Sequence, residues 1–396
     1  MPAFKARIQS ALSKREQAGL TRTVTPTLGG NCTNLQLGKH QYLNFSSNDY
    51  LGLANDHELK KVWQQGIDLY GVGSAASPMV TGFSHAHLAL ENALCEWLGY
   101  EKAVIYNSGF SANQALLFSL LTKDDLLIQD RLNHASLMEA GQLCPAKMIR
   151  FKHNDMDDLE SKLTLDKSKL VVTEGVFSMD GDLSPLNELS QLCQKSDSWL
   201  AVDDAHGVGV LGNEGRGACH AASVQPDILI VTFGKAFGFS GAAILCNAQV
   251  GDFLSQFSKH HVYSTAMPPS QAYALTHAIG MIRTQQWRRD KLIELSGIFK
   301  EQLHEIPGFQ DTATAIKPFI FSTDWFAERD IAARVDDTEW AVGLSNALKQ
   351  QGFWVTPIRP PTVPKGTARI RITLTANHSN KQIMTLATAI KQEYFK

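Results

Sequence analysis

Between residues 100 and 250 short apolar runs alternate with longer stretches of helical period. The runs are AVIYN (103–107), LLIQD (126–130), KMIRF (147–151), LVVTE (170–174), WLAVDD (199–204), ILIVTF (228–233) and GAAILC (241–246). They are apolar on both faces, the pattern of strands in a parallel sheet covered by helices. An α/β layer structure with a mostly parallel seven-stranded sheet follows. Only GKAFGFS separates the last two runs, too little chain for a helical crossover, so the final strand is expected to enter antiparallel or by an irregular connection.

After residue 270 the texture changes. A long helix is expected around 270–305, through Trp287, Leu292, Leu295, Phe299 and Leu303. Strands follow near KPFIF, FWVTPI and RIRITL, with a helix over 338–351 between two of them and another after Ser379. This reads as a smaller α+β domain. The expected division is a helix and arm over 1–45, a large α/β domain over 46–285 and a small α+β domain over 286–396. At the start, Phe4, Ile8, Ala11 and Leu12 fall at helical spacing and predict a short amphipathic helix packing on the body.

Charge and cysteine usage narrow the field. The 396 residues carry 37 Lys plus Arg against 39 Asp plus Glu, a formal net charge of −2, which gives no basic face for nucleic acid or an anionic membrane. No apolar stretch reaches the ~18 residues of a bilayer-spanning helix, and the N-terminus has no apolar signal core, so a soluble protein is expected. Cys32, Cys95, Cys144, Cys193, Cys219 and Cys246 are scattered singly, mostly among apolar neighbours, which fits a reducing cytoplasm. His85-x-His87 and His260-His261 lack accompanying ligands at metal spacing and read as helix-surface histidines, so no metal is expected. Gly71-x-Gly73 follows a helical segment, not a strand, which dismisses a dinucleotide loop, and a Gly-x-Ser-x-Gly elbow is absent.

In open α/β sheets ligands sit beyond the carboxyl ends of the strands, so polar residues just after the runs are the first candidates. Asn107-Ser108-Gly109-Phe110 leads from a strand into a helix, an anion site at a helix N-terminus. Glu174 and Ser178 follow the fourth run, Asp203 and His206 the fifth, Thr232 and Lys235 the sixth. Lys235 lies in a Gly-rich loop flanked by Phe233 and Phe237, surroundings that would lower its amine pKa and ready it for an aldehyde. Pyridoxal phosphate needs such a lysine, an Asp beneath the pyridine nitrogen and phosphate donors at a helix start. Asp203 and His206 can supply the carboxylate and a hydrogen bond toward the phenolic oxygen, and His134 the stack over the ring. Of the pair Asp203-Asp204, one is expected to face the site and the other to be a solvated or structural partner.

The blocks QYLNFSSNDYLGL (41–53), NSGFSANQA (107–115), VVTEGVFSMDGD (171–182), VDDAHGVGVLG (202–212), VTFGKAFGFSGAA (231–243), YSTAMPPSQA (263–272) and IRPPTVPKGTARIRITLTA (358–376) resemble, in order, those of the α-oxoamine synthases, pyridoxal-phosphate enzymes of fold type I. The resemblance implies a decarboxylating condensation of L-alanine with a pimeloyl thioester, carried on coenzyme A or on acyl-carrier protein, as a step of biotin biosynthesis. It implies that Lys235 bonds the cofactor and acts as base, that Asp203 pairs with the ring nitrogen, His206 reaches O3′ and His134 stacks on the ring. Gly109, Phe110, Ser178 and Thr232 would complete the cofactor cradle. Arg22 and Thr356 would contact the acyl substrate, Arg371 would clamp the amino-acid carboxylate and Asn48 would line the site. A homodimer with shared sites is implied, Ser264 or Thr265 reaching the neighbour's phosphate. The chain departs from the family at Gly73-Ser74-Ala75-Ala76-Ser77-Pro78-Met79, where two glycines are lost; Ala tolerates fewer positive-φ conformations, so the substrate-facing loop is expected to sit differently.

Overall fold

The computed structural model describes residues 2–321 and 336–394. The N-terminal arm contributes β1 (Asn34–Leu37) and β2 (His40–Asn44). The central strands are β3 (Lys102–Tyr106), β4 (Leu126–Asp130), β5 (Lys147–Phe151), β6 (Lys169–Glu174), β7 (Trp199–Asp203), β8 (Ile228–Thr232) and β9 (Ala242–Cys246). The C-terminal region adds β10 (Ile316–Ile320), β11 (Phe353–Trp354), β12 (Thr356–Ile358) and β13 (Arg369–Thr373).

The central strands form one sheet in the order β3-β9-β8-β7-β6-β4-β5. Neighbours from β8 through β5 pair in parallel, whereas β9 pairs antiparallel with both β8 and β3, as the short connection requires. Alternate residues feed two cores: Leu229 and Val231 pack on one face, Ile228 and Ile230 on the other. Burial on both sides explains the unbroken apolar runs of the inner strands; β5, at the sheet edge, departs from the expected pattern, with Lys147 and Arg150 exposed and only Phe151 buried.

FWVTPI divides between two sheets. Its first half, β11, lies parallel to β2 of the arm, and its second half, β12, pairs antiparallel with β13, which in turn pairs with β10. The expected long helix around 270–305 is two helices, Pro269–Thr284 and Trp287–Leu303. The break at Gln285-Gln286 lets buried Arg288 bond Leu51 O and Asp56 Oδ2, both at 2.8 Å, and no Gly or Pro marks it in the sequence. The N-terminal helix forms over Pro2–Gln17, but Phe4, Ile8 and Leu12 are 57–64% exposed, so its apolar stripe does not pack on the body as expected. The chain beyond it is tied down by Arg359, whose Nη1 bonds Gly19 O at 2.7 Å.

The loop that has lost two glycines still turns through the left-handed region, with Ala75 at φ +54°. It is fastened by Ser74 Oγ to Met267 O at 2.5 Å and by Ala266 N–H to Ala76 O at 2.9 Å. Among the described residues no helix is long and apolar enough to cross a membrane.

Candidate active site

Polar groups collect at the carboxyl ends of β6, β7 and β8, where an open α/β sheet holds its ligand. Lys235 sits on the tight connection from β8 to β9, closed by Phe233 N–H to Gly241 O at 2.9 Å and Phe239 N–H to Phe233 O at 2.8 Å. Phe233 and Phe237 are fully buried, edge to face at 5.3 Å, and root the loop in the core. Gly238 at φ +74° lets the loop lie against Ala54, whose nitrogen would be 2.3 Å from any Cβ there. Burial, then the Arg371 guanidinium, push the Lys235 amine below its usual range, while Asp203 and Glu174 pull it back.

Asp203, at the end of β7, is buried and held by Asn113 Nδ2 at 2.8 Å and Ala205 N–H at 3.1 Å. Asn113 Nδ2 also donates to Ser136 Oγ at 2.9 Å, and that hydroxyl lies 2.8 Å from His134 Nδ1. One chain of bonds therefore fixes both the carboxylate and the imidazole expected to face the cofactor. His134 caps the helix Ala135–Leu143; burial lowers its pKa, Asp203 opposes and Lys235 assists. Asn113 and Ser136 were not singled out from the sequence, although both stand beside residues that were.

Asp204 turns to the other side of the strand. It accepts Ala218 N–H at 2.7 Å, and a Cβ at Gly175, Gly207 or Gly217 would come within 2.0–2.3 Å of its oxygens. Burial in this glycine cage raises its carboxyl to about 8. The second aspartate is thus structural. Glu174 lies opposite Asp203 across the β6–β7 ladder, buried, with Oε1 unpartnered. Burial and then the Asp203 charge push its carboxyl well above the ordinary range.

A second group of side chains comes from distant parts of the chain. Arg371 on β13 is buried and donates through Nε to Ser178 O at 2.6 Å and through Nη1 to Asn48 Oδ1 at 3.1 Å and Thr373 Oγ1 at 2.9 Å. Among the described residues no carboxylate pairs with it, so a buried cation faces the site without a counter-charge. Tyr50 OH lies 2.5 Å from His206 Nδ1 and 3.5 Å from Arg371 Nη2. Burial, then Lys235, Arg371 and His134, push the His206 imidazole well below its ordinary range, so it is neutral at pH 7. Tyr50, absent from the sequence-based candidates, joins the two.

Thr356 stands opposite Arg371 in the β12–β13 register and bonds Ser46 Oγ at 2.8 Å. Arg22 lies apart on the exposed arm, its Nη2 3.5 Å from Thr362 Oγ1. Thr265 O accepts from Asn107 Nδ2 at 2.9 Å, and Ser264 lies beside it near the start of the helix Gly109–Leu120.

That helix is capped by Ser108, whose Oγ accepts Ser111 N–H at 3.1 Å and leaves the first-turn N–H groups of Gly109 and Phe110 for another acceptor. The Thr232 methyl would be 2.5 Å from a Cβ at Gly109, which puts that side chain at the helix start, and the buried Thr232 Oγ1 has no partner. An orphaned hydroxyl beside a helix N-terminus fits a phosphate, and the buried Asp203 carboxylate fits a protonated pyridine nitrogen. The residues present therefore fit pyridoxal phosphate. No metal-holding group occurs among the described residues. His87 is not a surface histidine: it is buried, caps its own helix through Ser84 N–H at 3.0 Å and meets Met267 O at 2.7 Å; His261 is buried too.

Fold and site together define a pyridoxal-phosphate-dependent transferase of fold type I, and residues 40–390 match the family aminotransferase class I and II. The chain is 59% identical over 392 residues to 8-amino-7-oxononanoate synthase of Vibrio parahaemolyticus serotype O3:K6, covering 99% of each, and 57% identical over 388 residues to that of Vibrio cholerae serotype O1, covering 98% and 97%. It belongs to the 8-amino-7-oxononanoate synthase family. Among solved structures, serine palmitoyltransferase of Sphingomonas wittichii superimposes with a TM-score of 0.88 at 28% identity over 98% of this chain and 96% of the other. The 8-amino-7-oxononanoate synthase of Francisella tularensis gives 0.75 at 27% identity over 89% and 97%.

Proposed function

We propose that the chain catalyses the decarboxylating condensation of L-alanine with a pimeloyl thioester, giving 8-amino-7-oxononanoate, the free thiol carrier and carbon dioxide. The observation that carries this reading is the buried Arg371 guanidinium, unpaired by any carboxylate among the described residues and close enough to Lys235 to depress its amine. Family membership selects the acyl partner.

Lys235 would hold the cofactor through its amine and would serve as the base for the proton on the alanine Cα. Its lowered pKa favours the neutral, basic form. Bound pyridoxal phosphate supplies the ring that accepts the electron pair left at Cα, first on loss of that proton and later on loss of carbon dioxide. Asp203, kept in place by Asn113, would pair with the ring nitrogen and stabilise its positive charge. His134 would offer a neutral ring face, His206, with Tyr50 on Nδ1, would reach the phenolic oxygen, and Ser178 would complete the cradle. Gly109, Phe110 and Thr232 hold the phosphate. Arg371, with Asn48 beside it, would fix the alanine carboxylate and so the orientation about Cα that selects the bond to be broken. The alanine Cα bonds the thioester carbonyl carbon, the thiolate leaves, the carboxylate departs as carbon dioxide, and a proton returns to Cα. Thr356 beside Arg371, and Arg22 on the arm, stand for acyl contacts. Exposed Val72, Val80 and Tyr263, 74–80% exposed in the single chain, support a second copy of the chain, with Ser264 or Thr265 turned to its phosphate.

The test is product identity. Alanine with a pimeloyl thioester is expected to give 8-amino-7-oxononanoate and one thiol per turnover; a preference for glycine with acetyl or succinyl thioester would overturn the reading.

A further inference from the structure

Outside the groups assigned above, His153 stands between two carboxylates. Its Nδ1 is 3.0 Å from Oδ1 of Asp130, the wholly buried end of β4, and its Nε2 is 2.8 Å from Oδ2 of Asp182. Asn154 doubles the connection, with its N–H on Asp130 Oδ2 at 3.0 Å and Nδ2 on Asp182 Oδ2 at 3.0 Å. The Phe177 ring meets the imidazole edge to face at 4.4 Å. A neutral imidazole has one N–H and satisfies one carboxylate; bonding both requires the imidazolium. Burial opposes that charge, but the two carboxylates prevail and raise His153 to about 10.

Asp182 belongs to a narrow reversal closed by Phe177 N–H to Asp182 O at 3.0 Å and Gly181 N–H to Phe177 O at 2.8 Å. Ser178 is carried on this reversal, its carbonyl receiving Arg371 Nε. On the same side Asp180 pairs with Arg369, the other arginine of β13. One end of the reversal is thus joined to the main sheet through His153, and the other to the strand that bears the carboxylate clamp.

We propose that His153 is a positioning residue: its imidazolium rivets the 177–183 reversal to the end of β4 and so sets the Ser178 carbonyl and, through it, the plane of Arg371 presented to the amino acid. The proposal rests on the reading of Arg371 given under Proposed function.

His153→Gln removes the charge at similar size, and Asp182→Asn cuts the same tie from the other side. In cofactor-free protein, amide exchange of residues 177–183 is expected to quicken about tenfold in either variant while β4 and β6 keep their protection. In the holoenzyme KM for alanine is expected to rise roughly tenfold, with kcat and the thioester KM within about threefold. The double variant should fall short of the sum of the two single effects, because both remove the shared His153–Asp182 bond. Unchanged exchange in the reversal, an alanine KM at the wild-type value with only Tm lowered, or additive effects would each overturn the proposal. The exchange reading involves no substrate, so a protein that does not use alanine at all would refute the proposed function and leave the rivet itself standing or falling on exchange alone.

Discussion

Lys235, Asp203 and Glu174 stand at or just beyond the ends of three adjacent strands, β8, β7 and β6, and act on one another: both carboxyl groups raise the amine, and the Asp203 charge adds to burial in pushing the Glu174 carboxyl upward. Arg371, with Asn48, Tyr50 and Ser178, is gathered from three distant stretches of chain around a single buried cation. The first region is complete before any amino acid arrives; the second is electrostatically unfinished until a carboxylate enters. Under the proposed function, a site so divided would hold its cofactor in one region and exchange its substrate in the other, where a carboxylate supplies the missing counter-charge.

The largest break in that contrast is Lys235→Ala, expected to abolish the yellow absorbance of the bound cofactor and to lower turnover by about 10³-fold or more, read by spectrum and thiol release. Arg371→Met should spare the colour and raise KM for alanine roughly 100-fold, a split that assigns the two regions different duties. A smaller effect concerns the aspartate beneath the cofactor region. Asp204 is raised from 3.8 to about 8 in the folded chain, so the fold binds a proton that the unfolded chain releases. Its contribution is full below pH 3.8 and is lost as pH rises through about 8. Asp204→Asn should therefore flatten the fall of Tm between pH 6 and about 8.5. Smallest is Ala75→Gly: relief of the left-handed φ, less the added freedom of the unfolded chain, leaves about 0.5 kcal/mol of stabilisation, measurable by denaturant midpoint.

The division also decided what could be read from the sequence. Strands buried on both faces print continuous apolar runs, so the central sheet and the antiparallel β9 were visible, and residues placed just after those runs pointed to the cofactor region. Arg371, Thr356 and Asn48 entered only through resemblance, because nothing in local spacing brings β13 to residues 46–50. Tyr50, Asn113, Ser136 and His153 act through contacts 23 to 156 residues away, which leave no periodic trace. The Gln285-Gln286 break escaped for a related reason: burial of Arg288 against Leu51 drives it, and no local breaker does. The exposed stripe of the first helix shows that spacing gives a face and not its partner.

The hairpin geometry of the β8–β9 connection has a mechanical corollary. An amine borne on a helix start could be swung by tilting the helix, but Lys235 rides on a turn stitched at Phe233, Gly238 and Gly241 and has only its own methylene stem to travel on. Lengthening that turn by a single residue would leave every strand in register and still carry the nitrogen away from Asp203 and Arg371, whose charges act on it.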